Sequence, residues 1–469
     1  MIPRKALYLA LGFCCALSVG CASGHAPFQA ERVVPPHWQG ETTSAAQAEA
    51  QGTWWSTFAS AELDSLMVAA LADNFSLEAS RERIEQARER LRSSRSVLFP
   101  QLDLGYGVNR ADRWDDDGKR SGGSSDSVSA SVGYEVDLWG GQRAAVAGAR
   151  ASLAATEFGH VAARLLLQAE IANAYFQWLA TQDRLRHARE SLEASREVLR
   201  LIALQHREGS VSRLELVQQE AAVASQEAQI NDLANAAVQV EYALAVLTGQ
   251  VPGTLTLAGK SLTEIRLPVI AAEQPVELLE RRPDLRQAEA NLVAAQASVD
   301  TARAALLPGL RLSASSSFGD LILDGPAITA TNIAAGLSQP LFQGGRLRAA
   351  LAGAEAGQRE ALANYYQVVL DAVKEVENNL ADVETQARNS SLQERNLELS
   401  REAYHLADLR YRTGAADFLT LLDAQRSLIA SQDSHVQFEL SRYQSALELY
   451  RALGGSWWVE DEAPSPSGG

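Results

Sequence analysis

Two periods take turns along this chain. A short helix is predicted from Glu62 to Ala72, and a longer one from Asn74 to Leu98 carries Leu77, Ile84, Ala87, Leu91 and Val97 on one apolar stripe. Pro100 ends that run, and the period falls from 3.6 to 2. Over 101–109, Leu102, Leu104, Tyr106 and Val108 alternate with polar or glycine positions. A polar stretch, Arg110–Asp126, reads as a loop. Alternation then resumes over 127–138, with Val128, Ala130, Val132, Tyr134, Val136 and Leu138 on one face and Ser127, Ser129, Ser131, Gly133, Glu135 and Asp137 on the other.

Helical text follows at unusual length. Between Arg143 and Arg207 there is no Pro, and glycine occurs only at Gly148 and Gly159. At 1.5 Å per residue such a helix is a rod of roughly 100 Å. Gly209 supplies a turn and Val211 to Leu247 runs back. On this return limb Leu214, Val217, Ala221, Ala224 and Ala228 follow three-four spacing, the signature of an a/d seam against another helix.

The whole plan is then repeated. Leu138-Trp139-Gly140-Gly141-Gln142-Arg143 returns as Leu341-Phe342-Gln343-Gly344-Gly345-Arg346, and Gly209-Ser210-Val211 returns as Gly414-Ala415-Ala416. A unit of this size is far too long for a solenoid repeat, so the chain reads as two copies of one domain-sized unit. The first spans 61–250 and the second 276–455, joined by a Gly/Pro-containing connector, 251–275. In the second copy, strands are expected near 310–318 and 331–341 and long helices near 346–412 and 417–453. The tail, 456–469, is expected to be disordered.

Composition narrows the setting. Formal charge is −16 with no offsetting basic block, which argues against nucleic acid. Residues 1–20 read as a signal peptide, with Arg4-Lys5 ahead of an apolar run too short to span a membrane. Leu17-Ser18-Val19-Gly20-Cys21 resembles a bacterial lipobox, although Ser18 stands where Leu is commonly preferred. The resemblance implies acylation of Cys21, a lipidated segment over 21–60, and, with Ala22 rather than Asp next, sorting to the outer membrane. Ordinary signal-peptidase cleavage beside an incidental Cys is the alternative. Cys14, Cys15 and Cys21 are the only cysteines, so the mature chain has no disulfide to make.

About ten residues of alternation suits a tilted membrane strand, and equally a half-buried soluble hairpin. The leader and the second copy favour the membrane. Four strands cannot close a barrel, and lipid does not tolerate open edges. Several chains must therefore share one barrel, and the long helices continue it into water as a pipe.

These features are joined by specific text: Trp54-Trp55 with Phe58, Arg282-Pro283-Asp284-Leu285, Pro340-Leu341-Phe342, and Tyr411-Arg412-Thr413-Gly414 followed by Phe418-Leu419-Thr420-Leu421-Leu422-Asp423-Ala424-Gln425-Arg426. Together they resemble the outer-membrane efflux protein family (TolC-like), in its lipoprotein branch serving resistance-nodulation-division (RND) drug exporters. The resemblance implies a mainly α chain forming a homotrimer, with a 12-stranded β-barrel continued by an α-helical barrel and a belt built from connector and tail. It also implies a periplasmic adaptor and an inner-membrane pump as partners, passive conduction and no cofactor.

The same resemblance places a periplasmic gate at Leu419 and Asp423, whose i, i+4 spacing puts both on one helix face. Without it, Asp423 reads as a helix-surface charge and Leu419 as a seam residue. Tyr411, Arg412, Asp417 and Arg426 are the latch candidates. Gly209, Ser210, Val211, Gly414, Ala415 and Ala416 form tips where an adaptor would dock, and both glycines also suit helix C-caps. The seven His residues form no HExxH array, there is no phosphate-cradling loop, and Asp115-Asp116-Asp117-Gly118 lacks the ligand spacing of an EF-hand. Enzyme chemistry finds no constellation here. The rival reading is a lipid-anchored periplasmic coiled-coil adaptor or adhesin without a pore.

Overall fold

The computed structural model describes residues 34–39, 53–114, 116, 118, 120–258, 261–268, 275–319 and 328–455. The leader, Cys21 and the tail 456–469 lie outside them. In the first half a 3-10 turn, Trp54–Phe58, leads into α1 (Ala61–Asp73) and α2 (Phe75–Ser96), then β1 (Gln101–Trp114), β2 (Arg120–Val136), α3 (Gly141–Arg207) and α4 (Arg213–Leu247). The second half runs α5 (Leu278–Arg281), α6 (Pro283–Ala304), β3 (Gly309–Gly319), β4 (Ile328–Ser338), α7 (Arg346–Arg412) and α8 (Phe418–Ala452).

Local chemistry sets the helix limits. Side chains of Ser60, Asn74, Ser212 and Asp417 each accept a hydrogen bond from the first turn of α1, α2, α4 and α8. Asp137 serves α3 from outside, accepting from the backbone N–H of Gln142 at 3.2 Å and of Arg143 at 3.0 Å. The four helices of the two hairpins end alike. A glycine in the left-handed region follows each, and the next N–H closes back onto the last turn: Ser210 to Gln205, Gln250 to Ala245, Ala415 to Arg410 and Gly455 to Tyr450.

The strands form one antiparallel sheet in the order β1-β2-β3-β4. Leu102, Leu104 and Tyr106 stand opposite Val132, Ala130 and Val128, and Val128 and Val132 stand opposite Phe318 and Ala314, so one face is mainly apolar, interrupted by Ser316, Thr329 and Thr331. It is bare in the protomer, with Ile333 82% exposed. The other face carries Ser129, Ser131, Ser315 and Ser317 in adjacent register. Two expectations need correction. Most of Arg110–Asp126 is strand: β1 continues to Trp114 and β2 begins at Arg120, and the two pair over that length. Charged, serine and glycine residues fall on both parities there, so no apolar period marks the strand. Strand β2 also ends at Val136, because Asp137 turns away to cap α3.

Behind the sheet the helices stand four abreast. Near the strands α3 lies between α2 and α6, through Ser80–His160 and the close approach of Gly148 to Ala297, while α6 meets α7 at Gln296–Gln358. Farther along, the neighbours change. There α3 lies between α4 and α8, through Ser195–Gln226 and Ser191–Gln432, and α8 meets α7 through Asn396–Ser431. The wall therefore reads α2–α3–α6–α7 above and α4–α3–α8–α7 below.

A dry aromatic cluster fills the waist, uniting Trp54, Trp55, Phe58, Tyr175, Phe176 and Tyr443 with Leu244, Leu262 and Ile265. The connector is pinned there. Tyr443 Oη donates to the Ile265 carbonyl at 2.5 Å, with the Leu262 carbonyl also within reach at 3.2 Å, and Asp183 accepts from Leu262 N–H at 2.9 Å. The seam expected on α4 is not made within the protomer. Leu214 and Val217 are 66% and 45% exposed, and the face turned to α3 instead carries Gln219, Val223, Gln226, Leu233, Ala237 and Leu244.

Candidate functional site at the helix tips

The two hairpins end side by side. Gly209 and Gly414 take φ of 73° and 76°, a conformation that L side chains resist, so each reversal is tight without an inserted loop. Ser210, Val211, Ala415 and Ala416 complete the turns. Just above them Val198, Ile202, Ala407, Tyr411, Phe418, Leu421 and Leu422 make a small apolar cluster that joins α3, α7 and α8.

That cluster orients the start of α8. Phe418, Leu421, Leu422 and Gln425 are buried, so Leu419 and Asp423 point the other way, Leu419 being 54% exposed. Asp423 is exposed and meets no hydrogen-bond or ion-pair partner among the described residues. Arg426 is exposed one turn farther on and is likewise unpaired among them. Leu419, Asp423 and Arg426 thus form a bare strip on a helix whose opposite face is packed.

The latch candidates divide. Tyr411 crosses between repeats, its Oη donating to Gln205 Oε1 of α3 at 3.0 Å; burial, then the charge of Glu215, pushes its phenol up. Arg412 stays within α7, bonded to Asp408 at 2.8 Å, which holds the guanidinium more basic than usual. Asp417 caps α8, accepting from the Thr420 hydroxyl at 2.6 Å and N–H at 2.8 Å, and these bonds hold its carboxyl below the ordinary range. Sequence reasoning missed a second crossing. Gln425 Nε2 donates to Ser195 Oγ at 2.7 Å, and Arg184 pairs with Asp433 at 2.6 Å, both tying α3 to α8. The available signal was glutamine at buried seam positions.

The two flanks of the wall are unfinished. Along α7, Leu392, Leu399 and Leu406 recur at seven-residue spacing and are half exposed or more. Along α4 lies the bare Leu214–Val217 stripe. Above them β1 and β4 present unpaired outer edges.

The outer membrane efflux protein family is matched over residues 66–250 and 275–455. The chain belongs to this family. The pyoverdine export outer membrane protein OpmQ of Pseudomonas aeruginosa is 38% identical over 458 residues, covering 96% of this chain and 97% of that protein. The toluene efflux pump outer membrane protein TtgI of Pseudomonas putida is 31% identical, covering 98% of each. Among solved structures the outer-membrane channel OprN superposes with a TM-score of 0.81 at 29% identity, covering 91% of this chain and 99% of that one. The efflux chain is thus the outer membrane channel component of a tripartite export system, with a β-barrel continued by an α-helical barrel. The poreless adaptor or adhesin is set aside.

Proposed function

We propose that three copies of this chain close edge to edge into one conduit, anchored by an acylated Cys21 and shut at its periplasmic end by rings of Leu419 and Asp423. The observation that carries the reading is the match between unfinished edges. In the sheet and in the helical wall the same flanks are open, β1 with α2 and α4 on one side, β4 with α7 on the other. Pairing β4 of one copy with β1 of the next gives 12 strands, a size that encloses a lumen. The same step brings the leucine stripe of α7 onto the Leu214–Val217 stripe of α4. Burial of these apolar faces drives the closure.

At the closed end, three Leu419 side chains dry the aperture and three Asp423 carboxylates raise the barrier to anions. Tyr411, with its bond to Gln205, is the latch between repeats. The paired tips at Gly209–Val211 and Gly414–Ala416 receive a periplasmic adaptor, and an RND-type inner-membrane pump supplies the energy. The cargo is a hydrophilic organic molecule of the siderophore or drug class. The serine-lined sheet face supports this, as does the 38% identity to a pyoverdine exporter.

Asp423→Ala tests the gate. The variant is expected to raise leak current in planar bilayers and to sensitise cells to large antibiotics such as vancomycin. Conductance equal to that of the parent at every voltage would move the constriction elsewhere.

A further inference from the structure

The serine face of the sheet, which closure into a barrel turns toward the lumen, is nearly free of charge. Over 101–109, 127–136, 309–319 and 328–338 its charged residues are Asp103, Glu135 and Arg311, so one guanidinium is the only cation there. Register sets Arg311 directly opposite Glu135. Facing opposite charges ordinarily attract. Here they part along the strands, and neither has an ion-pair partner among the described residues. Arg311 Nη2 leans toward the free end of the sheet, 3.7 Å from where a Cβ on Gly133 would stand. Glu135 Oε1 leans toward the helices, 3.8 Å from the same point on Gly309. A glycine on each facing strand leaves the room for this.

The next charges toward the helices behave otherwise. Asp137 and Arg143 pair at 2.9 Å, and the Asp137 carboxylate is further occupied in capping α3. Arg311 is therefore left with unused donors, in a row otherwise made of Gln101, Gly133, Ser313 and Ala334. One row farther out stands Asp103, in register with Ser131 and Ser315. The guanidinium thus lies between two levels that carry carboxylates. A planar fork with free N–H groups takes a carboxylate in bidentate fashion, and low-dielectric walls focus its field into the lumen.

We propose that Arg311 is a carboxylate-binding subsite inside the barrel, present three times around the lumen, that carries organic anions between the Glu135 and Asp103 levels. The inference rests on the closure of three copies, because only closure makes the serine face a lumen. It deepens the cargo reading by naming a charge class and the residue that selects it.

The chain's cysteines, Cys14, Cys15 and Cys21, all lie at the leader, so a thiol placed beside Arg311 has no competitor in the barrel. Ser313 stands opposite Gly133, in the row the guanidinium reaches. In full-length Ser313→Cys protein reconstituted in proteoliposomes, modification is timed with a sulfonate-bearing and with a trimethylammonium-bearing methanethiosulfonate. Adding Arg311→Gln is expected to lower the anion-to-cation rate ratio roughly fivefold. Arg311→Lys keeps the charge without the fork and should leave the ratio near that of the parent. Citrate is expected to slow modification when Arg311 is present, less with Arg311→Lys, and not with Arg311→Gln. An unchanged ratio, or protection by citrate that is equal in all three, overturns the subsite. Leu312→Cys, on the opposite face, tests closure separately: in a closed barrel lipid shields it, and it is expected to stay unmodified. If it reacts as readily as Ser313→Cys, closure fails and the subsite with it. If it is silent while the ratio does not move, closure stands and the subsite alone falls.

Discussion

The two repeats seat the ends of their return helices on the same backbone geometry with different chemistry. In the first, Asn74 Nδ2 donates to the Leu247 carbonyl at the end of α4, at 2.9 Å. In the second, Arg282 Nη1 donates to the Ala452 carbonyl at the end of α8, also at 2.9 Å. Each donor stands just ahead of the helix that leads up to the strands. Asn74 is a neutral amide beside the aromatic waist, where Leu77 and Leu244 share one cluster with Trp54 and Phe58. Arg282 is a buried cation. Burial alone would lower its pKa, but the carboxylates of Asp284 at 2.7 Å and Glu375 at 2.9 Å raise it instead. Duplication has kept the place where backbones meet and the donor that meets them. The neighbourhood has decided whether apolar packing or charge supports it.

The strongest way to break this comparison is at the glycines that follow the return helices. A Cβ on Gly249 would overlap the backbone carbonyl of Asp73, and one on Gly454 would stand 2.8 Å from that of Arg281. Both residues also hold positive φ. Gly249→Ala is expected to cost about 4 kcal/mol, from strain and overlap together. Gly454→Ala should cost less, because its overlap is smaller. Thermal unfolding of the assembled protein followed by circular dichroism measures both, and equal or negligible losses would deny that the two backbones meet as closely as described.

Exchanging the donors sharpens the chemical half. Arg282→Met leaves two carboxylates and a carbonyl without their partner and should cost about 3 kcal/mol, at the low end for a broken buried pair because Asp284 and Glu375 remain partly wetted. Asn74→Ala removes an N-cap and one carbonyl bond, for about 1–2 kcal/mol. Urea unfolding of each variant gives the order. The reverse order would mean that the second repeat does not depend on its charge.

What the sequence reveals follows the same division. The duplicated strand-pair and long-hairpin plan is legible because Gly209 and Gly414, and the two Gly-Gly segments, punctuate long periodic runs. The upper hairpin is not legible. From Arg110 to Ser125 charged, serine and glycine residues fall on both parities of the sequence, and a strand written that way has no apolar period. The stripe on α4 is legible, but not the helix that meets it. Apolar spacing marks a buried face, but Leu214, Val217 and Ala221 are bare in one protomer, while the face against α3 is built on Gln219 and Gln226. The i, i+4 pair Leu419 and Asp423 is legible as a face. The bond from Gln425 to Ser195 behind it is not, because glutamine at a seam looks like a surface residue until its hydrogen bonds are known.

The smallest effect separates the tips. Ser212 caps α4 and Asp417 caps α8 at corresponding places in the two repeats. Thr420's hydroxyl and N–H bind the Asp417 carboxylate and hold its pKa below the ordinary value. A carboxyl depressed in the folded state adds stability above the ordinary carboxylate range, and that contribution is lost as pH falls through the folded value. A serine cap does not titrate there. Acidification from about pH 6 to pH 3 should therefore lower hydrogen-exchange protection in the first turn of α8 and leave the N–H of Glu215, capped by Ser212, unchanged. Asp417→Ser should remove the asymmetry while preserving the cap. Equal acid sensitivity at both tips in the parent would trace the effect to carboxylates other than Asp417, and the two hairpins would then share one capping chemistry in effect if not in sequence.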